Sequence, residues 1–165
     1  MELLDVIQQK SIYDLNKNTI EHLLASWNEP SFRSNQLWQG LYKQLWIRAE
    51  DFSNLPISLR KKLSEHFLFD TLKPEKYLQS PNGETTKTLF RLHDGLSIET
   101  ILMRYHNRRS LCISTQVGCT LGCTFCATGQ MGFIRNLSSG EIVEQVIYHA
   151  RLLKEQDERL TNIVV

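Results

Sequence analysis

Three cysteines in a short, glycine-rich segment constrain this chain of 165 residues more strongly than any other feature. Cys119, Cys123 and Cys126 follow the spacing C-x3-C-x2-C after an apolar run that predicts a strand. Thiols this close together can reach one centre only if the backbone curls around it, and glycine makes such a curl sterically easy. The glycines of the segment are Gly118, Gly122 and Gly129. The pattern therefore predicts a metal centre in this loop.

Composition and expected location indicate which chemistry these thiols carry out. With 41% hydrophobic and 22% charged residues, the chain is of the ordinary globular type rather than disordered or fibrous. The amino terminus carries acids where a secretory signal has positive charge, and no apolar run is long enough to span a membrane. We therefore expect a cytoplasmic protein, in which metal or redox chemistry is favoured over a disulfide framework. The formal net charge of +1 gives no general electrostatic argument for a nucleic-acid partner.

The number of thiols bears on the kind of metal centre. Iron–sulfur clusters of electron carriers usually have four cysteine ligands, so three thiolates leave one iron open for a non-protein ligand. An open position is typical of catalytic rather than structural metal sites. Cys112 is the fourth cysteine, and with it the thiols would instead close a zinc site. Buried, inert thiols are the third alternative, and the spacing favours the cluster over both.

The order of the predicted elements divides the chain into three parts and gives the α+β fold class. Residues 1–72 have apolar side chains at helical spacing. Residues 73–109 hold β-rich runs separated by the turn dipeptides Asn82-Gly83 and Asp94-Gly95, which predicts a β-meander that links two domains. Residues 110–165 predict a strand near Leu111, the cysteine loop, a helix and the start of a second strand.

Signals at the helix ends are specific enough to be tested. The first three helices are predicted to begin at Asn18, at Ser31 or Ser34, and near Pro56. Ser138 and Glu141 form a capping-box signature before the helix of the last part. The predicted apolar face of that helix consists of Ile142, Val143, Val146, Ile147 and Ala150.

A longer string around the cysteine loop resembles a known family. It reads C-I-S-T-Q-V-G-C from Cys112, F-C-A-T-G-Q-M-G-F from Phe125, and closes with Arg135-Asn136-Leu137. These residues closely resemble the RlmN/Cfr family of radical S-adenosylmethionine (SAM) RNA methyltransferases. The resemblance implies a helical RNA accessory domain over 1–72, a β-hairpin bridge over 73–109, and the first βα units of an incomplete radical SAM (β/α) barrel over 110–165.

The resemblance also implies a reaction. In the family, thiolates that match Cys119, Cys123 and Cys126 hold a [4Fe-4S] cluster, which binds S-adenosyl-L-methionine and cleaves it to a radical. One SAM methylates a cysteine near the carboxyl terminus, and the radical then activates that methyl group for addition to adenine. Cys112 matches the thiol that resolves the resulting protein–RNA adduct through a disulfide, and Glu99 matches the acceptor of the ring proton. From its position alone, Glu99 reads as a solvent-facing strand carboxylate.

Substrates and partners follow from the same resemblance. They are 23S rRNA and tRNA, together with an electron donor such as flavodoxin, for a protein that is monomeric and not bound to a membrane. Val117 and Gln130-Met131 resemble the branch of the family that methylates C2 of adenine rather than C8. Basic side chains suit either phosphate binding or a solvated surface, and none is assigned to RNA. They are Arg33, Lys43, Arg48, Arg60, Lys61, Lys62, Arg104, His106, Arg108 and Arg109.

Two features of the family have no counterpart in this sequence. The Gly-Glu-Pro segment that holds SAM is absent, and no cysteine follows Cys126 to carry the methyl group. We therefore expect a truncated chain that does not turn over alone. The alternative function is a zinc-binding RNA-binding module without catalysis, which metal identity would reveal. A ferredoxin-like electron carrier is disfavoured because the spacing lacks a suitably placed fourth thiol, and by the helical first part.

Overall fold

The computed structural model describes residues 10–121, 124 and 130–165, and the chain divides into two compact units after Asp70. The elements of the first unit are β1 (Lys10–Ser11), α1 (Lys17–Ser26), α2 (Phe32–Gln39), α3 (Ile57–His66) and β2 (Phe67–Leu68). Those of the second unit are β3 (Lys73–Gln79), β4 (Thr85–Arg91), β5 (Ser97–Tyr105), β6 (Arg108–Cys112), β7 (Gln116–Gly118), β8 (Phe133–Asn136), α4 (Ser139–Lys154) and β9 (Asn162–Val164).

The helices of the first unit begin at or near the predicted residues. Helix α1 starts earlier than predicted from Asn18, because the Asn16 side chain accepts a hydrogen bond of 2.9 Å from the Thr19 backbone N–H. Helix α2 begins after Ser31, and α3 begins after Pro56, as predicted. The apolar faces of the three helices form a common core of Ile20, Leu24, Leu37, Leu59 and Leu63, each at most 1% exposed.

A close contact completes the core of the first unit. The chain continues from α2 through a π-helical turn, Gly40–Gln44. A Cβ atom on Gly40 would lie 2.2 Å from the ring of the fully buried Phe52. Glycine is therefore the residue that lets this turn pack directly on the aromatic ring.

The second unit is built on a five-stranded sheet of order β3-β4-β5-β6-β9. Neighbouring strands are antiparallel except β6 and β9, which are parallel and are joined through α4. Strands β6 and β9 with α4 between them therefore form a βαβ unit. The antiparallel turns contain Gly83 at φ 73° and Gly95 at φ 83°, the left-handed conformation that the predicted Asn-Gly and Asp-Gly dipeptides allow.

Helix α4 packs against one face of this sheet. Its capping box is present as predicted, because the Ser138 hydroxyl accepts from the Glu141 backbone N–H and the Glu141 carboxylate accepts from that of Ser138. Apolar contacts between helix and sheet include Leu102 and Leu111 of the strands with Leu153 of the helix. The buried side of α4 also contains polar residues outside the predicted apolar face, namely Glu141, Glu144, Gln145 and His149.

The structure confirms a mixed helix-and-strand fold and adds an element that the sequence did not indicate. Strands β7 and β8 form a separate two-stranded antiparallel ribbon on either side of the cysteine loop. The division of the chain at residues 72 and 109 and the barrel assignment remain predictions. Among the described residues, no helix combines the length and the apolar character needed to cross a membrane.

Candidate functional site

The two faces of the sheet differ, and the difference locates the candidate site. Side chains alternate between faces along a strand. In β5, Ile98, Thr100 and Leu102 point towards α4 and are buried, whereas Glu99 points to the opposite face with half of its side chain exposed. We call that opposite face the open face. It is the face on which polar side chains of neighbouring strands can meet a substrate.

Strand register places Glu99 and Cys112 together on the open face. Ile101 pairs with Lys87 on one side and with Cys112 on the other, so these three residues form one row across β4, β5 and β6. Glu99 lies two residues along β5 from that row, which makes it a diagonal neighbour of Cys112 at about 7–8 Å. Both residues therefore lie near the end of β6 from which the cysteine loop departs.

The segment that follows β6 is fixed by side chains of its neighbours. The buried Gln145 amide on α4 donates to the Ser114 carbonyl and accepts from the Ser114 N–H, both at 2.9 Å. The Ser114 hydroxyl donates to the Glu99 carbonyl, also at 2.9 Å. The backbone that leads into the cysteine loop is thus tied directly to the strand residue that carries the carboxylate.

The ribbon holds the beginning of the cysteine loop. The Cys119 N–H donates to the Gly132 carbonyl at 3.1 Å, which brings the two sides of the loop together. Gly118 has φ 76°, and a Cβ atom there would lie 1.7 Å from the Gly132 oxygen. A side chain at Gly118 is excluded both by this contact and by the left-handed backbone.

Only part of the predicted cluster site lies in the described residues. Cys119 is a free, half-buried thiol, whereas Cys123 and Cys126 lie outside the described residues. Within 10–121, 124 and 130–165, no group of three His, Cys, Asp or Glu side chains could hold a metal. The free thiol of Cys119, at the start of a loop whose two sides are joined by β7 and β8, is compatible with the first of the three thiolate ligands predicted for an iron–sulfur cluster.

Arg135 connects the ribbon to the remainder of the unit. Its guanidinium donates two hydrogen bonds of 2.8 Å to the Glu141 carboxylate and also pairs with Asp94 in the β4–β5 turn at 2.6 Å. Burial acts to raise the pKa of Glu141, but the hydrogen bonds from Arg135 and from the Ser138 N–H outweigh it and lower that pKa. Glu141 is therefore ionised near pH 7, and its pairing with Arg135 joins β8, the start of α4 and the turn that precedes β5.

A buried histidine on α4 contacts β5 from the side opposite the open face. His149 is 1% exposed, and its Nε2 is 2.7 Å from the Thr100 hydroxyl on β5. Burial, together with the positive charge of Arg104, lowers the pKa of His149 to about 4. His149 is consequently neutral near pH 7 and supports the strand next to Glu99 without adding charge.

Several of the basic residues considered for RNA are engaged within the chain. Arg33 and Arg60 donate to the backbone carbonyls of Asn54 and Glu50. Arg109 forms an ion pair with Glu158. These contacts favour structural roles for the three arginines.

Three residues of the site were not found from the sequence. Lys87 forms an ion pair with Glu99, Gln145 fixes Ser114, and Arg135 joins three segments. A lysine in a strand or a glutamine in a helix gives no local signal, because the partner is distant in sequence. Only Arg135 had a signal, since it falls within the string that resembles the RlmN/Cfr family.

Comparisons with known proteins relate the chain to RNA methyltransferases. The family described as ribosomal RNA large subunit methyltransferase N-terminal domain matches residues 10–68. A Chloroflexus aurantiacus protein named "probable dual-specificity RNA methyltransferase RlmN" is 47% identical over 148 residues, covering 90% of this chain and 39% of that protein. Its namesake from Halalkalibacterium halodurans is 47% identical over 155 residues, covering 94% and 42%.

A solved structure is similar along the same length. The radical SAM methyltransferase from Sphaerobacter thermophilus has a TM-score of 0.89 and 44% identity, covering 94% of this chain and 46% of that one. Fold and sequence together therefore relate the chain to the radical SAM methyltransferases. Among them, it is similar to RNA methyltransferases named RlmN, and residues 10–68 match the N-terminal domain of that family. It spans about two fifths of the length of the curated relatives it matches.

Proposed function

We propose that this chain is the part of an RlmN-type enzyme that binds the iron–sulfur cluster and carries the proton acceptor for methylation of adenine C2 in 23S rRNA and tRNA. The observation that carries the proposal is the placement of Glu99 and Cys112 as diagonal neighbours on the open face, at the end of β6 from which the chain continues through β7 to the cysteine loop. Relatives named RNA methyltransferases support the RNA substrate. They also disfavour a zinc-binding module without catalysis.

Cys119, Cys123 and Cys126 would hold the cluster. A [4Fe-4S] cluster with bound S-adenosylmethionine supplies radical chemistry, which suits adenine C2 because that carbon is a poor nucleophile. The remaining support comes from the protein itself: Gly118 allows the ribbon to close at Cys119, and the Cys119 N–H is fixed by the Gly132 carbonyl.

Glu99 and Cys112 would act on the modified base. The Glu99 carboxylate is exposed enough on the open face to accept a proton from the ring carbon. Cys112 is a free, half-buried thiol, which suits the thiol exchange that releases the product from the enzyme. The cysteine that carries the methyl group would come from a part of the enzyme beyond these 165 residues.

The partners follow from the reaction. The proposal includes an external electron donor such as flavodoxin, a cytoplasmic location where ribosomal and transfer RNA are found, and a monomeric enzyme. Of the basic side chains, Arg108 lies over the Tyr105 ring at 4.5 Å at the far end of β5 from Glu99. That position is at the opposite end of β6 from the cysteine loop, so we assign it no role at the catalytic site.

Metal content tests the cluster. The chain is purified without oxygen, reconstituted with iron and sulfide, and compared with a variant in which Cys119, Cys123 and Cys126 are replaced by alanine. We expect a brown protein with about four irons per chain that becomes colourless in the variant. Cys112→Ala is the matched control and should keep its iron. Colourless protein with stoichiometric zinc that requires Cys112 would overturn the proposal in favour of the zinc module.

Methylation is tested with the full-length polypeptide that contains this chain. Mass spectrometry of digested 23S rRNA and tRNA should detect 2-methyladenine with the native sequence. Glu99→Gln and Cys112→Ala should each abolish release of methylated RNA. Methylation at C8, or full activity of both variants, would contradict the assigned chemistry.

A further inference from the structure

On the open face, Lys87 forms an ion pair with Glu99, the predicted proton acceptor. Its Nζ lies 3.0 Å from the Glu99 Oε2 across β4 and β5. We propose that Lys87 is a positioning residue, which holds the Glu99 carboxylate on the open face in the orientation needed to accept a proton. The inference rests on the proposed function of Glu99.

The backbone around the pair is firmly placed. Lys87 pairs with Ile101 and Leu78, so it lies in a strand with neighbours on both sides. Glu99 is a diagonal neighbour of Lys87 in the same way that it is of Cys112. A long lysine side chain spans that diagonal and reaches the carboxylate.

The exposure of the pair indicates a role other than stability. The side chains of Lys87 and Glu99 are 39% and 50% exposed, and ion pairs with that exposure contribute little to folding because solvent screens them. A pair that adds little to folding can still select one rotamer of a carboxylate. Orientation matters for proton transfer, because the acceptor must lie within hydrogen-bond distance of the reacting proton.

The chemical step that Lys87 would influence is a proton transfer. The bond between the ring carbon and its hydrogen breaks, the proton moves to a Glu99 oxygen, and the bonding electron pair stays on the ring. Lys87 gains or loses no bond in this step. A Glu99 carboxylate released from Lys87 would populate several rotamers, and a misplacement of about 1 Å costs about 100-fold in rate.

The experiment uses the full-length enzyme and compares Lys87→Met with Lys87→Arg. We expect Lys87→Met to lower kcat by about 10- to 100-fold with little change in KM for RNA. The covalent protein–RNA adduct should accumulate, as in Glu99→Gln, because removal of the ring proton is slowed. Lys87→Arg keeps the positive charge and should retain activity within about threefold, since arginine also pairs with carboxylates.

Lys76→Met is the matched control. Lys76 on β3 pairs with Leu89 on β4, and its side chain points to the same open face, so its removal changes the charge of that face equally. Turnover of this variant should equal that of the native enzyme. Equal losses in both lysine variants, or a rise in KM without adduct, would overturn the proposal and indicate general attraction of RNA.

A second readout does not depend on turnover. In protein without the cluster, the carboxyl carbon-13 resonance of Glu99 should shift in Lys87→Met and stay near its native position in Lys76→Met. Both variants should keep the native unfolding midpoint, and an unmoved resonance with native turnover would refute the role of Lys87. If Glu99→Gln itself releases methylated RNA normally, the assigned role of Glu99 fails rather than its positioning by Lys87.

Discussion

Two buried threonines that face each other across the sheet differ in their hydrogen bonding. Thr88 on β4 and Thr100 on β5 are direct cross-strand partners, and both lie under α4 with at most 1% exposure. The Thr100 hydroxyl is 2.7 Å from His149 Nε2. The Thr88 hydroxyl has no hydrogen-bond partner among the residues that the structure describes. Similar burial therefore has opposite consequences for the two hydroxyl groups.

Replacing each threonine by valine should separate these consequences. Thr88→Val removes a buried, unpaired hydroxyl, and we expect the free energy of unfolding to stay constant or to rise by up to about 1 kcal/mol. Thr100→Val leaves His149 without its partner and should lower the free energy of unfolding by about 1–2 kcal/mol. Urea unfolding at pH 7 measures both. Equal changes in the two variants would show that the hydroxyl groups have the same environment.

His149 should make stability depend on pH. In the folded state its pKa is about 4, below the ordinary value of 6.5, because burial disfavours the charged ring. Between these values the unfolded chain binds a proton that the folded chain does not, so the free energy of unfolding falls as the pH is lowered from about 6.5 to about 4. The loss amounts to about 3 kcal/mol at the lower limit.

His149→Gln should remove this part of the pH dependence. Glutamine keeps a neutral hydrogen-bonding group beside Thr100 and binds no proton in this range. Urea titrations at intervals between pH 4.5 and 7 compare the slopes of the two proteins, and an unchanged slope in the variant would assign the proton uptake to another group.

At the scale of elements, the ribbon of β7 and β8 depends on two glycines with the same backbone conformation but different surroundings. Gly118 and Gly132 have φ of 76° and 75°. Gly118 lies against the Gly132 carbonyl, whereas a Cβ atom on Gly132 would meet no atom within 4 Å. The pair therefore separates the cost of a left-handed backbone from the cost of a steric clash.

We expect Gly132→Ala to cost about 1 kcal/mol, the penalty for a side chain in the left-handed region. Gly118→Ala adds a clash with the backbone and should open the ribbon at Cys119. Iron content after reconstitution, together with urea unfolding, measures the difference. Gly132→Ala should retain its iron and Gly118→Ala should lose most of it; equal retention would show that the ribbon is not required for the metal site.

How far the sequence predicts these elements depends on the distance between the groups that interact. The turns at Gly83 and Gly95 and the capping box of Ser138 and Glu141 were predicted because their partners lie within a few residues. The ribbon was not, because β7 and β8 are short and lie on either side of the cysteine loop, and a strand of three or four residues has no clear alternation.

Helix α4 shows why the buried polar groups were missed. Its predicted face contained only apolar residues, yet Glu144, Gln145 and His149 are also buried. Glu144 accepts from the N–H groups of Thr71 and Leu72, more than 70 residues earlier in the chain. Such side chains read as solvent-exposed in a helical pattern until the distant segment that supplies their partner is known.

The residues of the candidate site also differ in how far the sequence predicted them. Cysteine spacing and the longer string that resembles the family identified Cys112 and the loop, because those signals are contiguous in sequence. Glu99 was indicated only by the resemblance. The relation of Glu99 to Lys87 required the register of β4 and β5, which residue types alone do not fix.

At the scale of the whole molecule, the two edges of the five-stranded sheet are protected unequally. Edge strand β3 contains Pro74 and two lysines, and its register with β4 is interrupted by a bulge, features that hinder pairing with another chain. In the described part of the chain, β9 pairs only with β6, and it leaves Ile163 and Val164 more than 40% exposed. Strand β9 is therefore the edge more prone to association.

A polypeptide of these 165 residues should self-associate through β9, and Val164→Lys should reduce this. The side chain of Val164 points to the open face, where a lysine can extend into water. Light scattering over a range of protein concentrations should show a lower apparent mass for the variant, because a charge on an edge strand opposes pairing. An unchanged mass would place the contact elsewhere.

The turn between β4 and β5 carries a constraint on insertions and deletions. Side chains alternate between faces, so a shift of one residue in pairing moves every side chain of β5 to the other face. Deleting a residue next to Gly95 would therefore turn Glu99 towards α4 and expose Leu102 on the open face. A change in the length of this turn should consequently impair activity as much as replacement of the Glu99 carboxylate, although the turn contributes no reacting group.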